Sequence, residues 1–304
     1  MDGIVGVYGP GDRDLVNKTF LATGACQHRG KASTGIAVAS AKGIYVHKHL
    51  GRIANVIDVE LIRTFQDLEP EAAIGNIGYT KRKTAEQVNA EPIKIQRRGG
   101  SSLEMVLTMD GYLLQEDDLR QELDPEYVLA TDNKTEVVGA LLHRYFHEGG
   151  VGFEAGRRLV DRLHGRATFA LAALVRQGTR VSLITLNDDL AFEPFCSAVI
   201  DGAFVASSES CSHRRLSGAD PREYDGAEMT ICSSRGIETQ RLREEPLMPD
   251  VFQGVYFGNV ASKFRGKEVF QIRRELGLEL VDLYGGSRAD VVIPNPESGW
   301  GVTV

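Results

Sequence analysis

The sequence predicts an α+β fold: a four-layer αββα sandwich of two antiparallel sheets flanked by helices, plus a C-terminal helix-strand appendage. Three observations predict the stacked sheets. About nine stretches read as strands, while helical periodicity is bunched in a few places and does not alternate with the strands as a βαβ sheet requires. Gly3-Ile4-Val5-Gly6-Val7 is small and β-branched and ends at the Gly9-Pro10 turn, so a buried strand begins almost at the first residue. Chain ends seldom sit inside a fold, which marks this one as organised around its start.

The elements follow in order. Asp12 or Asp14 can cap a helix whose apolar positions are Leu15, Val16, Phe20, Leu21 and Ala25, with Gly30 as its stop. Gly35 to Ser40 and Ile44 to His47 form a hairpin, and Ile53 to Leu68 is helical. Ala72 to Tyr79 is a strand whose Gly75 and Gly78 imply close backbone approach or an irregular edge. Lys81 to Ser102 reads as a long polar loop, functional or mobile. Glu104 to Met109 is a strand ending at an Asp110-Gly111 turn. Thr135 to His147 is the clearest helix, stopped by Gly149, and Glu154 to Leu163 is a second. Strands follow at 167–175, 180–186, 198–206 and 228–232. The character changes near Pro246; beyond it Glu268 to Leu283 is helical and Val291 to Ile293 is a short apolar strand.

Composition excludes several classes. A net charge of −7 disfavours nucleic-acid and anionic-membrane partners. No apolar run reaches membrane-spanning length and no secretory signal opens the chain, so a cytoplasmic protein is expected. Cys26, Cys196, Cys211 and Cys232 lack CxxC pairing, so buried free thiols are expected, with no metal and no cofactor.

Several stretches combine into a resemblance: Gly3 to Val7; Gln27-His28-Arg29-Gly30 with Ser33 and Gly35 to Val38; Gly75 to Thr80; Asn89-Ala90-Glu91-Pro92; Asp110-Gly111; Ala206 to Ser210; and Val255-Tyr256-Phe257. In order and spacing they resemble the class II (N-terminal nucleophile) glutamine amidotransferases, specifically amidophosphoribosyltransferase of purine synthesis. Asp290 to Gly299 resembles the opening of that family's phosphoribosyltransferase portion. The resemblance divides the chain into a glutamine amidotransferase type 2-like domain, 1–245, and a linker with the truncated start of a phosphoribosyltransferase-like domain, 246–304. It also implies that a terminal Cys attacks glutamine and that the released ammonia is used at the second domain.

Carried over by position, that site is vestigial, and no catalytic residue is expected. Asp2 stands at the nucleophile position; a carboxylate is a weak nucleophile toward an amide, and its acyl product is an unstable anhydride. Initiator Met is not expected to be removed before Asp, which leaves the free amine one residue too far away. Gly78 replaces an Arg that holds the substrate carboxylate. Asp110, before Gly111, replaces an oxyanion-hole Asn and has only acceptors to offer. Lys134 replaces an acid that pairs with the substrate ammonium, unless a small insertion gives that role to Asp132. Arg29 and Gly30 stand as in the family. Taken singly, Asp110-Gly111 is also readable as a turn, Arg29 as an ion-pair donor and Lys134 as a surface charge.

Other candidates are weaker. Cys26 beside His28 reads as core, His47 and His49 as a solvated edge lacking a third ligand, and His143 with His147 as ordinary helix surface. Lys81-Arg82-Lys83 needs Arg97 and Arg98 to make an anion site, and 294–299 resembles a nucleotide-handling loop.

Two functions follow. One is a non-catalytic binding or regulatory protein linked to purine nucleotide biosynthesis. It would bind a small-molecule ligand, a second copy, or an amidotransferase or phosphoribosyltransferase subunit. The other is an enzyme with altered chemistry on a non-glutamine substrate, using Asp2, Asp110 and Arg29.

Overall fold

A computed structural model describes residues 1–80, 86–218, 220–284, 293–295 and 299. The strands of the sandwich are β1 (Gly3–Tyr8), β2 (Ser33–Ser40), β3 (Gly43–Leu50), β4 (Ala72–Gly78), β5 (Ile93–Lys94), β6 (Leu103–Leu113), β7 (Ala167–Gln177), β8 (Arg180–Asn187), β9 (Cys196–Ile200), β10 (Ala203–Ser207), β11 (Arg222–Glu223), β12 (Glu228–Ser233) and β13 (Gly236–Arg241). One sheet runs β11-β9-β10-β1-β4-β2-β3 and the other β13-β12-β8-β7-β6-β5, with antiparallel pairing throughout.

The helices are α1 (Leu15–Ala25), α2 (Ile53–Val56), α3 (Val59–Gln66), α4 (Glu116–Leu123), α5 (Lys134–Gly149), α6 (Phe153–Leu163), α7 (Ser210–Ser217) and α8 (Val269–Tyr284). Three apolar layers hold the four structural layers together. Ile4, Ile74, Ala172 and Leu183 pack between the sheets. Leu15, Val16 and Phe65 cover the outer face of the first sheet, and Val137, Leu141 and Leu159 that of the second. β1 turns Ile4 and Tyr8 toward the second sheet and Val5 and Val7 toward the helices, which is why both its faces are buried.

Most expected elements are present, with local corrections. Gly30 does not stop α1: the helix ends at Ala25, a 3₁₀ turn (Gln27–Arg29) follows, and Gly30 is extended. A Cβ on Gly30 would lie 2.4 Å from the Gly78 carbonyl oxygen. The expected helix over 53–68 breaks at Asp58, whose side chain accepts from the Leu61 N–H and caps α3. β4 is central, between β1 and β2, so its glycines serve close approach; a Cβ at Gly75 would lie 2.0 Å from Thr23 Oγ1.

Asp110-Gly111 is not a turn. β6 runs through it to Leu113, with Gly111 at φ +139° and no room for a Cβ against the Thr168 carbonyl. The expected strand over 198–206 is the hairpin β9–β10, turned at Asp201-Gly202, both at positive φ. The polar stretch after Tyr79 contains a 3₁₀ turn (Gln87–Asn89) and β5, while Lys81, Arg82 and Lys83 lie outside the described residues. Of the expected strand near 292, only Ile293 is described, without strand assignment.

Past Leu242 the chain folds back onto the sandwich. Met248 N–H bonds Leu190 O at 2.9 Å and Asp250 N–H bonds Phe192 O at 3.1 Å. A small hairpin, β14 (Lys263–Phe264) and β15 (Lys267–Glu268), leads into α8. The buried Arg273 of α8 caps the carbonyls of Gly254, Tyr256 and Gly258, closing the turn that carries Phe257.

Candidate functional site

Antiparallel pairing of β1 with β4 sets Gly3 against Ile77, so Asp2 emerges beside Gly78 and Tyr79. A Cβ on Gly3 would lie 2.7 Å from Cys26 Cβ, so the chain can pass there only as glycine, and Asp2 is pinned by its backbone. Its N–H donates to Asp110 Oδ1 at 2.7 Å and its carbonyl accepts from Arg29 Nε at 2.7 Å. Its carboxylate accepts from the Tyr79 N–H at 2.8 Å. Burial pushes the Asp2 carboxyl up to about 7, opposed by the positive charge of Lys134 and reinforced by Glu91 and Asp110.

Behind Asp2 lies a sealed ionic cluster. Arg29, fully buried, donates to Asp110 Oδ2 at 2.8 Å, Glu209 Oε1 at 2.6 Å and Gln253 Oε1 at 3.1 Å. Phe257 stacks on the guanidinium at 5.0 Å. Burial works against the charge on Arg29, but Glu209 and Asp110 more than compensate and raise its pKa. Glu209 Oε1 also meets His28 Nε2 at 2.8 Å, and Oε2 accepts from Asn259 N–H at 2.9 Å and Ser262 Oγ at 2.8 Å. Burial alone would raise Glu209; the His28 bond and Arg29 hold it far below the usual carboxylate range.

A second carboxylate sits on the far side of the cleft. Glu91 is buried and accepts from Thr108 Oγ1 at 2.7 Å, Met109 N–H at 2.8 Å, Asn133 Nδ2 at 3.0 Å and Thr135 Oγ1 at 2.5 Å. It therefore ties the start of α5 to the sheets and sets where Lys134 stands. The Asn133 side chain caps α5 by accepting from Thr135 N–H at 3.0 Å.

The cleft itself, about 300 Å³, is lined by Asp2, Ser33, Asn76, Gly78, Asp132 and Lys134, among others. Lys134 and Asp2 are therefore brought together as the sequence positions imply, and Asp132 lines the same cleft. Burial lowers the tendency of Lys134 to hold its proton, but Asp2, Glu91, Asp110 and Glu193 together raise its pKa.

Four residues expected in the pocket, Arg29, Gly30, Asp110 and Gly111, do not line it. Arg29 and Asp110 are held inside the protein by their mutual ion pair, behind Asp2. Of Asp2, Asp110 and Arg29, the three residues of the altered-chemistry reading, only Asp2 lines the cleft. Glu91 and Glu209 lie in stretches that carry the resemblance, but sequence reading assigned them no role. The distant donors that make them central are invisible along the chain.

The remaining candidates resolve locally. Cys26 is buried against Ser212 Oγ at 3.2 Å, while His28 turns to Glu209, so the two do not form a pair. All four cysteines are free and buried. His47 bonds the Val56 carbonyl and His49 that of Leu50. His143 is not helix surface: it is buried between Tyr127 OH at 3.0 Å and the Leu103 carbonyl at 3.1 Å. Arg97 is engaged by His147 and Glu126, and Arg98 by Asp124, so neither is poised for an anion. Of the 294–299 loop only 294, 295 and 299 are described.

The glutamine amidotransferase domain pattern matches residues 90–212, which span Glu91, Asp110, Lys134 and Glu209. The amidophosphoribosyltransferase of Archaeoglobus fulgidus is 28% identical over 301 residues, covering 98% of this chain and 63% of that protein. That of Synechococcus elongatus is 26% identical, covering 98% of this chain and 59% of that protein. The solved structure of the allosteric regulatory enzyme of purine biosynthesis superposes with a TM-score of 0.83 at 23% identity, covering 99% of this chain. The chain carries a class II glutamine amidotransferase domain. Glutamine phosphoribosylpyrophosphate amidotransferase of B. subtilis shares the fold at a TM-score of 0.81 and 23% identity. This amidotransferase-like chain spans about three fifths of the length of those relatives. Among the described residues no helix is long and apolar enough to cross a membrane.

Proposed function

We propose that this chain is an amidophosphoribosyltransferase-related protein that no longer hydrolyses glutamine and acts as a binding or partner subunit in purine nucleotide biosynthesis. The observation that carries the reading is the fate of Asp110. Its two oxygens accept from the Asp2 N–H and from Arg29, so the position from which an oxyanion would be stabilised offers acceptors only. Asp2 supplies no nucleophile of the strength amide cleavage needs. Residues 1–245 form the amidotransferase part of this reading, and 246–304 the linker and start of a phosphoribosyltransferase-like part. The partner is a further copy or an amidotransferase or phosphoribosyltransferase subunit, and the setting is the cytoplasm.

The test is ammonia release from glutamine by the purified chain, with the N-terminus defined by intact mass. The expected result is release no faster than in buffer. Release above background removes the reading.

One observation favours a second reading, acid/base chemistry on another substrate: a cleft carboxyl held near 7 by burial. In that reading Lys134, not Arg29 or Asp110, is the partner of Asp2. Substrate conversion that survives Asp2→Asn unchanged would exclude it.

A further inference from the structure

We propose that the cleft binds a short carboxylic acid with a hydroxyl or amine at its far end, the carboxylate on Lys134 and the donor end at Asp2. This rests on the reading that glutamine chemistry is absent.

Three features of the cleft point to such a ligand. The Lys134 ammonium has no hydrogen bond or ion pair among the described residues, although it is half-buried. It also stands at the first position of α5, where a cation opposes the helix dipole. Nearby carboxylates keep Lys134 charged, and an ammonium that lines an open cleft without a direct bond is complementary to an anion from outside.

Across the cleft, one Asp2 oxygen is taken by the Tyr79 N–H and the other has no donor among the described residues. The Ser33 hydroxyl, which lines the same cleft, likewise has no partner among the described residues. Asp2 and Lys134 each shift the other's pKa yet make no direct ion pair, and both line the cleft.

Size and charge narrow the class. A cleft of about 300 Å³ is at the lower end for ligand sites, which favours a small molecule. Glu91 also lines it, which disfavours a second carboxylate on the ligand. An ammonium presented to Lys134 is repelled, so the donor group must enter toward Asp2.

The Tyr79 amide, bonded to Asp2, provides a reporter in the unmutated chain. Its resonance is followed by NMR during titration with 3-hydroxypropionate, β-alanine and propionate, which share a skeleton but carry a terminal hydroxyl, a terminal amine or neither. 3-Hydroxypropionate or β-alanine is expected to bind at least about tenfold more tightly than propionate. Lys134→Gln is expected to abolish that binding while its melting temperature confirms folding. Asp2→Asn separates the two sources of the donor: hydroxyl binding persists, and ammonium binding falls by at least about tenfold.

Equal binding of propionate, no Tyr79 shift with any probe to about 20 mM, or unchanged affinity in Lys134→Gln each overturn the proposal. Ammonia release from glutamine would instead overturn the functional reading beneath it. Silent probes with glutamine untouched remove only the ligand assignment.

Discussion

Replacing Arg29 by Met keeps most of the side-chain volume and deletes the guanidinium. In the native chain that group donates to the Asp2 carbonyl, Asp110, Glu209 and Gln253. All of these contacts are inside the protein, where Asp110 and Glu209 are each almost inaccessible to solvent. Breaking a buried ion pair from one side costs about 3–5 kcal/mol because the partner charge is left uncompensated. Here two carboxylates lose their counterion, although Glu209 keeps its bonds from His28, Asn259 and Ser262, so the upper part of that range applies. At about 2–4 °C per kcal/mol for a domain of this size, melting is expected to fall by roughly 8–20 °C. The assay is thermal unfolding followed by circular dichroism at neutral pH. A fall of less than about 1 kcal/mol, measured also by urea titration, would refute the claim that this cluster fastens the sandwich.

Asp2→Cys alone is expected to leave glutamine hydrolysis undetectable in a coupled ammonia assay, because Asp110, Gly78 and Lys134 remain. Asp2 is an acid whose folded pKa is raised, from 3.8 to about 7, so the folded state binds more protons than the unfolded state between these values. Stability therefore falls as pH rises across that window, and Asp2→Asn should flatten the slope of urea midpoint against pH there. Glu193, buried with neither oxygen partnered, is pushed well above the usual range by burial and then by Asp110. Glu193→Met should stabilise the chain at pH 8 by about 1–3 kcal/mol in urea unfolding, since an unsatisfied acid is replaced by an apolar group. Gly111→Ala should destabilise by roughly 1–3 kcal/mol from backbone strain alone, with the Thr168 carbonyl clash added, read as a lowered melting temperature.

The fold was legible because its signals are local. The apolar faces of 135–147 and 154–163 and the β-branched start needed nothing but periodicity to place them. The errors arose where tertiary contact overrides local preference. Asp110-Gly111 reads as a turn, yet Gly111 is kept in the strand because β7 approaches too closely for a side chain. α4, with its acidic first turn, and α7 were missed because their apolar faces are too short to give a periodic signal. In the site, Asp2, Gly78 and Lys134 were found by position, but which residues face the cleft was not. That division depends on Arg29 being pulled inward by Glu209, a partner 180 positions away. Sequence spacing carries no trace of such a contact.

The bonds from Arg29 close loops of very different length: 27 positions to Asp2, 81 to Asp110, 180 to Glu209 and 224 to Gln253. Contacts so remote are entropically costly to form early, so the cluster should knit together after both sheets have condensed. Strengthening or weakening it should then act mainly on the rate at which the protein comes apart and hardly on the rate at which it forms. Arg29 is therefore a latch on kinetic persistence: how long the folded chain survives is set where the first residues, the middle and the 250s meet on one guanidinium.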